Sequence, residues 1–320
     1  MSERQFAAWM PYLPKPVPAE LLTPAQVAAF ELAQGLSVPV TVRQDPSMGE
    51  AFQLTCAREG WTLAGGHAGV LYGAYALMAA VHAGQPVPEG VQKPRYALRM
   101  INCWDNATGE IERGYAGRSL FFEGNRLDYD PIRLRMLGRM LAGCGINVLC
   151  VNNVNVHEPM QQLIEDWLPR LAELAAIFRP FGIRLMVSVD FSRPMKHGIP
   201  TADPLDERVQ RWWCERADRI YATVPDLAGF LVKADSEHRP GPFTYGRSHS
   251  EGANMLARAV APHGGVVVWR CFVYNCGQDW RDMKTDRARA ACDTYLPLDG
   301  EFDDNVILQI KYGPFDFQVR

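Results

Sequence analysis

Four short stretches of this 320-residue chain hold side chains that could do chemistry. In Gly229–Arg247, GFLVKADSEHRPGPFTYGR, an apolar run meets Lys233, Asp235 and Glu237 within five residues. A Gly/Pro-rich loop that cannot continue as helix follows. Side chains alternate along a strand, so the three would share one face if the strand extends that far. A carboxylic acid beside a cation and aromatic rings suits a general acid with a tuned pKa; an ion pair at a strand end is the plainer reading. In Asp304–Arg320, DNVILQIKYGPFDFQVR, an apolar run ends on Lys311 and then Asp316, which reads either as a second charged site or as solvated loop charge. Arg270 follows Trp269 at the end of another apolar run, and arginine can hold a carboxylate through two parallel hydrogen bonds. Asn102-Cys103-Trp104-Asp105-Asn106 sets an aromatic plane beside polar groups, which suits a sugar if Trp104 is not core. Together, the cations Lys233, Arg270 and Lys311 fit an anionic substrate, and the carboxylates Glu237 and Asp316 fit acid–base hydrolysis at a sugar acetal.

These residues need elements to hold them, and the hydrophobic pattern supplies a repeating set. Apolar runs at Tyr96–Cys103, Ile146–Val151, Ile183–Val189, Phe230–Val232, Val266–Trp269 and Val306–Ile310 predict strands. Between them, Ile132–Ala142, Leu163–Phe178, Glu207–Ala222, Asn254–Val260 and Asp286–Tyr295 predict helices. Gly145, Gly182, Gly229 and Gly265 each stand before a strand, where a helix-to-strand turn needs a permissive backbone. Alternation of this kind indicates a parallel sheet. A doubly wound sheet would carry G-x-G-x-x-G after its first strand, and none is present. A (β/α)8 TIM-type barrel instead spreads functional residues over the C-terminal strand ends. That matches Trp104 to Asn106, Asn152-Asn153, Asp190, Lys233 to Glu237, Arg270 and Lys311 to Asp316. The expected fold class is therefore α/β, a barrel incomplete here at about six β/α units, spanning 91–320. A small α/β N-terminal domain over 1–90 precedes it. Within that domain Thr23-Pro24 starts a helix over Ala25–Leu32, Val38–Val42 and Phe52–Cys56 form strands, and Ala68–His82 forms a second helix. Gly84 to Gly90 then reads as a linker.

A net charge of −3 gives no reason to expect nucleic acid or an anionic membrane surface as partner. No run approaches the roughly 18 apolar residues that span a bilayer. The opening Met-Ser-Glu-Arg-Gln leads into no apolar targeting region, so a cytoplasmic location is expected. The eight cysteines include no C-x-x-C pair and predict buried, reduced thiols. The seven histidines show neither H-x-x-x-H nor H-E-x-x-H, so no metal is expected; His249 and His263 are isolated loop positions, and His157-Glu158 reads as a local polar cap.

At these residues the chain resembles the family 67 α-glucuronidases. INCWDNATGEIERGYAGRSLFF (101–122) looks like the family's first barrel strand and its loop, and GFLVKADSEHRPGPFTYGRSHSEGANMLA (229–257) like its fourth strand and acid loop. WRCFVYNCGQDWRDMKTDRARAACD (269–293) and LDGEFDDNVILQIKYGPFDFQVR (298–320) read as further characteristic segments, and GVLYGAYALMAAVHAG (69–84) as the last helix of its N-terminal domain. The resemblance covers roughly residues 66 to 320; residues 1–65 are only weakly similar. It implies hydrolysis, with inversion and without a cofactor, of the α-1,2 bond between glucuronic acid, or its 4-O-methyl ether, and xylose in aldouronic oligosaccharides cut from glucuronoxylan. It implies Glu237 as general acid, Asp316 as one of two base-side carboxylates, Lys233, Arg270 and Lys311 as carboxylate binders, and Trp104 as a pocket wall. The family's second base-side carboxylate, last barrel strands and C-terminal domain have no counterpart, so the chain is expected to be a piece of such an enzyme, with dimers expected only of a full-length form. A non-catalytic uronic acid binder and an inert fragment are the competing readings.

Overall fold

The computed structural model describes residues 15–236, 239–271 and 287–310. Its contacts divide the chain into two compact units, residues 1–101, 128–149 and 173–184, and residues 102–127, 150–172 and 185–320.

The first unit begins with helix α1 (Pro24–Gly35). Thr23 caps it as expected: Thr23 Oγ1 accepts from the Gln26 backbone and the Gln26 side chain accepts from Thr23 N, with Pro24 at the first position. Strands β1 (Val40–Gln44), β2 (Phe52–Ala57), β3 (Gly60–Gly65) and β4 (Val91–Gln92) form a sheet in the order β1-β3-β2-β4, and helix α2 (Gly69–Ala83) follows β3. β1 lies parallel to β3, whereas β2 is antiparallel to β3 and β4. Strand β3 was not anticipated, because GWTLAG is short and bounded by glycine at both ends. It forms as the return leg of a tight hairpin from β2, and Val91–Gln92, just beyond the expected linker, adds the edge. The unit also contains helix α3 (Pro131–Gly143), capped by Asp130.

Strand β5 (Met100–Asn102) is shorter than the run Tyr96–Cys103, and β6 (Phe122–Glu123) and β7 (Arg126–Leu127) pair as a small antiparallel ribbon. The remaining strands alternate with helices: β8 (Val148–Cys150), α4 (Leu168–Phe178), β9 (Arg184–Val189), α5 (Glu207–Thr223), β10 (Gly229–Val232), α6 (His249–Val260), β11 (Val266–Cys271), α7 (Arg287–Tyr295) and β12 (Val306–Ile310). One six-stranded sheet results, in the order β12-β11-β10-β9-β8-β5, with β9, β10, β11 and β12 paired in parallel. This is the sequential strand order of a half-barrel, as the alternation predicts. The inner strands β10 and β11 are apolar on both faces: Phe230, Leu231 and Val232 are buried, as are Val267, Val268 and Trp269.

Two local expectations are corrected. Helix α6 begins five residues before Asn254, because Ser248 and Glu251 form a reciprocal capping box and α6 starts from it. The left-handed residue before β11 is Gly264, at φ +71°, not Gly265. Gly265 is required for a different reason, since a Cβ there would stand 2.1 Å from Tyr221 Oη. Of the described cysteines, Cys150 and Cys271 are buried as expected, while Cys56, Cys144, Cys214 and Cys292 are exposed; all are free thiols. Among the described residues no helix is long and apolar enough to cross a membrane.

Candidate functional site

The site is built in the second unit, from the ends of its strands. Just beyond β5, Trp104 is half-buried and Asp105 is buried. Burial pushes the Asp105 carboxyl up, against the pull of hydrogen bonds from Ser119 and the Leu120 N–H. Those bonds fold the loop back on itself, with Asp105 bridged to Ile111 and Glu110 to Arg118. Glu112 closes the turn: its N–H donates to Trp104 O at 2.8 Å and its backbone takes φ +54°. A left-handed backbone at a non-glycine residue costs about 1–2 kcal/mol, so this loop holds Glu112 against its preference.

Arg270 leaves the end of β11 and lies over that indole, its Cζ 5.0 Å from the Trp104 ring centre. Its backbone is fixed from behind. Trp269 Nε1 donates to Tyr295 Oη at 3.1 Å, and Tyr295 Oη donates to Arg270 O at 3.2 Å. Lys233 follows β10, and its ammonium donates to Asn155 Oδ1 at 2.7 Å.

Lys233 and Asp235 do not lie on an extended strand. Strand β10 ends at Val232, and Asp235 turns the chain at φ +50°. The Asp235 carboxylate accepts from Phe243 N at 3.1 Å, clamping the far side of the Gly/Pro loop. Burial pushes its pKa up while the backbone N–H groups of Phe243, Thr244 and Gly241 pull it down. Asp235 is thus a loop clamp. Glu237, Lys311 and Asp316 lie outside the described residues.

Other candidates resolve into structural roles. Asn152 is spent on the sheet, donating to Ser188 O at 3.1 Å and accepting from Ser188 N at 2.8 Å. Asp190 holds a turn, accepting from Ser192 N at 3.0 Å and from Gln161 Nε2 at 3.3 Å. Glu158 is more than a local cap: it reaches Arg193 at 3.1 Å, which also binds Glu165 and Gln161. His263 pairs with Asp218 at 2.9 Å and stacks on Tyr221. His249 lies in the first turn of α6, fully buried among aromatic rings, and burial pushes its pKa down to about 4. Among the described residues no group of three His, Cys, Asp or Glu side chains could hold a metal ion.

A cavity of 290 Å³ is lined by Asn106, Thr108, Glu112, Asn153, Asn155 and Met160, among others, but not by Trp104, Lys233 or Arg270; Asn155 is its link to Lys233. That size stands at the lower end of small-molecule sites, roughly 300–1,000 Å³. Its wall is rich in side-chain amides, which both donate and accept and so match the hydroxyls of a sugar. Asn155 and Glu112 were not singled out from the sequence; isolated polar residues in a loop give no periodic signal, and only the backbone of Glu112 marks it as unusual.

With this geometry in hand, three comparisons are informative. The profile of the glycosyl hydrolase family 67 middle domain matches residues 81–320. The chain is 47% identical over 260 residues to an alpha-glucuronidase of Hypocrea jecorina and 46% identical over 254 residues to a probable alpha-glucuronidase A of Neosartorya fischeri. Each alignment takes in 79% of this chain and 30% of the relative, so the chain spans under a third of the length of these curated relatives. Among solved structures, a family GH138 enzyme targeting pectin rhamnogalacturonan II superposes with a TM-score of 0.54 over 90% of this chain and 46% of its own; at 15% identity that likeness is one of fold.

Proposed function

Since the chain belongs to glycosyl hydrolase family 67, we propose that it carries the glucuronate-recognising part of an α-glucuronidase. The substrate is an aldouronic oligosaccharide, and the bond cleaved is the α-1,2 link between glucuronic acid, or its 4-O-methyl ether, and xylose. On this reading the six-stranded sheet is a portion of an eightfold barrel. The observation that carries the reading is the placing of Arg270 over Trp104, with Lys233 tied to the same loop through asparagines. Two cations beside an aromatic plane and an amide-lined cavity suit a sugar that bears one carboxylate.

Lys233, Arg270 and Lys311 bind the carboxylate, and Trp104 packs on the sugar face. Glu237 gives its proton to the xylose oxygen as the C1–O bond breaks. Asp316 takes a proton from the water that attacks C1 from the opposite face. The products are the free xylo-oligosaccharide and glucuronic acid with inverted configuration. Water is the sole co-reactant, so the reaction calls for no cofactor. Inversion requires the two carboxyls about 6.5–9.5 Å apart, against about 5–5.5 Å for retention.

The test is release of glucuronic acid from aldouronic oligosaccharides, with the anomer formed first followed by NMR. Glu237→Gln and Asp316→Asn are expected to lower the rate about 10²–10⁴-fold while glucuronate binding persists. Retained turnover in both variants would remove the two carboxylates from the mechanism. Glucuronate binding by the unaltered chain with no turnover would fit both the uronic acid binder and a piece of the enzyme that binds without hydrolysing.

A further inference from the structure

The amides around the cavity form a connected chain whose direction is fixed at both ends. Lys233 can only donate, so Asn155 must turn Oδ1 toward it, and Lys233 Nζ stands 2.7 Å from that oxygen. Asn155 N donates to Asn153 Oδ1 at 2.9 Å. The Asn153 amide nitrogen then donates to Asn106 Oδ1 at 2.9 Å and to Trp104 O at 3.3 Å. Asn106 Nδ2 donates in turn to Glu112 O. The Trp104 and Glu112 carbonyls can only accept, so no amide in the series can flip without two donors or two acceptors facing each other. Asn153 is 2% exposed, and its own N–H is anchored on Asp105 O at 2.8 Å. Low local dielectric strengthens such a series and makes any broken link costly.

We propose that Asn106, Asn153 and Asn155 are positioning residues that set the Lys233 ammonium against the Trp104 loop. The inference rests on the reading of Lys233 and Trp104 as the glucuronate end of the site. A lysine side chain has four rotatable bonds and wide rotamer freedom; a fixed acceptor at its tip removes much of that freedom before the ligand arrives. The same series passes through the carbonyls on either side of the Trp104 loop, so the cation and the indole are held by one network. Asn106 and Asn153 connect to Lys233 by way of Asn155, which makes them the informative positions.

The first measurement needs no ligand. In protein labelled with ¹⁵N-lysine, the Lys233 ammonium is expected to give a resolved, slowly exchanging NMR signal, identified by its loss in Lys233→Met. Asn155→Ala is expected to abolish that signal, and Asn106→Ala to broaden it from three hydrogen bonds away. A signal that survives Asn106→Ala unchanged, or no slow-exchange signal in the unaltered protein, overturns the proposal. Thermal melting establishes that each variant is folded, and Asn106→Ser, which keeps a small polar group, replaces the alanine variant if that one is not. The second measurement is glucuronate affinity by calorimetry. Asn155→Ala is expected to weaken it about tenfold, the effect of one hydrogen bond to a charged group. In the Lys233→Met background the same change should alter it by less than about twofold, because the coupling partner is gone. Equal losses in both backgrounds overturn the proposal. If the NMR effects appear but no glucuronate binds, the positioning chain stands and the uronate reading of the site falls.

Discussion

Arg270 stands on the face of Trp104, with its Cζ 5.0 Å from the ring centre, although 166 residues of chain separate them. The contact joins the end of β11 to the end of β5. It leaves the guanidinium an aromatic backing, with its own N–H donors to grip a carboxylate. Arg270→Ala is expected to weaken glucuronate binding by roughly 2–3 kcal/mol, as loss of a charge-assisted hydrogen-bonded pair. Trp104→Ala should cost less in direct cation–π energy, about 0.5–2 kcal/mol, but should also lose the sugar-stacking surface. Titration calorimetry of the two variants separates these amounts. Wild-type affinity in Arg270→Ala would make the stack a fold contact and nothing more.

A second expectation concerns stability. Arg139 on α3 and Glu31 on α1 form a fully buried pair, with Arg139 Nε 2.6 Å from Glu31 Oε1 and both side chains 0% exposed. Tyr75 Oη also donates to Glu31, at 3.2 Å, and Arg139 Nη2 donates to Lys15 O at 2.7 Å. Burial pushes the Glu31 carboxyl up despite the guanidinium beside it. Removing one charge strands the other in the interior, so Glu31→Leu or Arg139→Met alone should cost about 3–5 kcal/mol in urea unfolding. The double variant Glu31→Leu/Arg139→Met should cost far less than the sum. Additive losses would show that the two ions are not energetically coupled.

The strands and helices of the repeat were legible because burial on both faces leaves continuous apolar runs, as at Phe230–Val232 and Val267–Trp269. What escaped depends on pairing or on backbone angle. Strand β3 exists because β2 and β1 flank it, not because GWTLAG favours a strand. Asp235 breaks the alternation that would have aligned it with Lys233, since a residue at φ +50° ends an extended run. Trp104, Lys233 and Arg270 were readable as residues, each following an apolar stretch. Asn155 was not, because its role is set by an ammonium 78 positions away.

Gly229 supplies a sharper test of the sheet. It enters β10 at φ +136°, and a Cβ there would lie 1.8 Å from Val266 O, the strand residue paired with it in β11. Gly229→Ala must therefore strain the backbone and push apart two paired strands, at a cost of at least about 2–3 kcal/mol. Gly264, at φ +71° with nothing within 4 Å of its added Cβ, is the control. Its replacement by alanine should cost only the left-handed penalty of about 1–2 kcal/mol. Chemical unfolding of the two variants side by side checks the order, and equal losses would mean that β10 and β11 can separate to admit a methyl group.

His249 gives the pH dependence. Its ring is 0% exposed, and neither ring nitrogen has a hydrogen-bond partner among the described residues. Phe243 lies at 4.5 Å, Tyr295 stacks at 4.9 Å and Trp269 packs edge-on at 5.7 Å, centre to centre. Among the described residues no charged group compensates a positive charge there, and burial lowers the pKa from 6.5 to about 4. In the unfolded chain the ring titrates near 6.5. The unfolded state therefore takes up a proton first as pH falls. The stability that the neutral ring contributes is fully present above about pH 6.5 and is lost progressively down to about pH 4. Between pH 7 and pH 5 the loss amounts to about 2 kcal/mol, at 1.36 kcal/mol per pH unit below 6.5. His249→Phe keeps an aromatic ring and cannot titrate. It should also relieve the two unpartnered nitrogens, so its stability at pH 7 is expected to equal or exceed that of the unaltered chain. The measurement is urea unfolding of both proteins at several pH values from 7.5 to 5. Carboxylates common to both cancel in the difference, which should grow by about 2 kcal/mol toward pH 5. Parallel pH profiles for the two proteins would mean that His249 is protonated as readily in the folded state as in the unfolded chain, and that the ring is not sealed among Phe243, Trp269 and Tyr295.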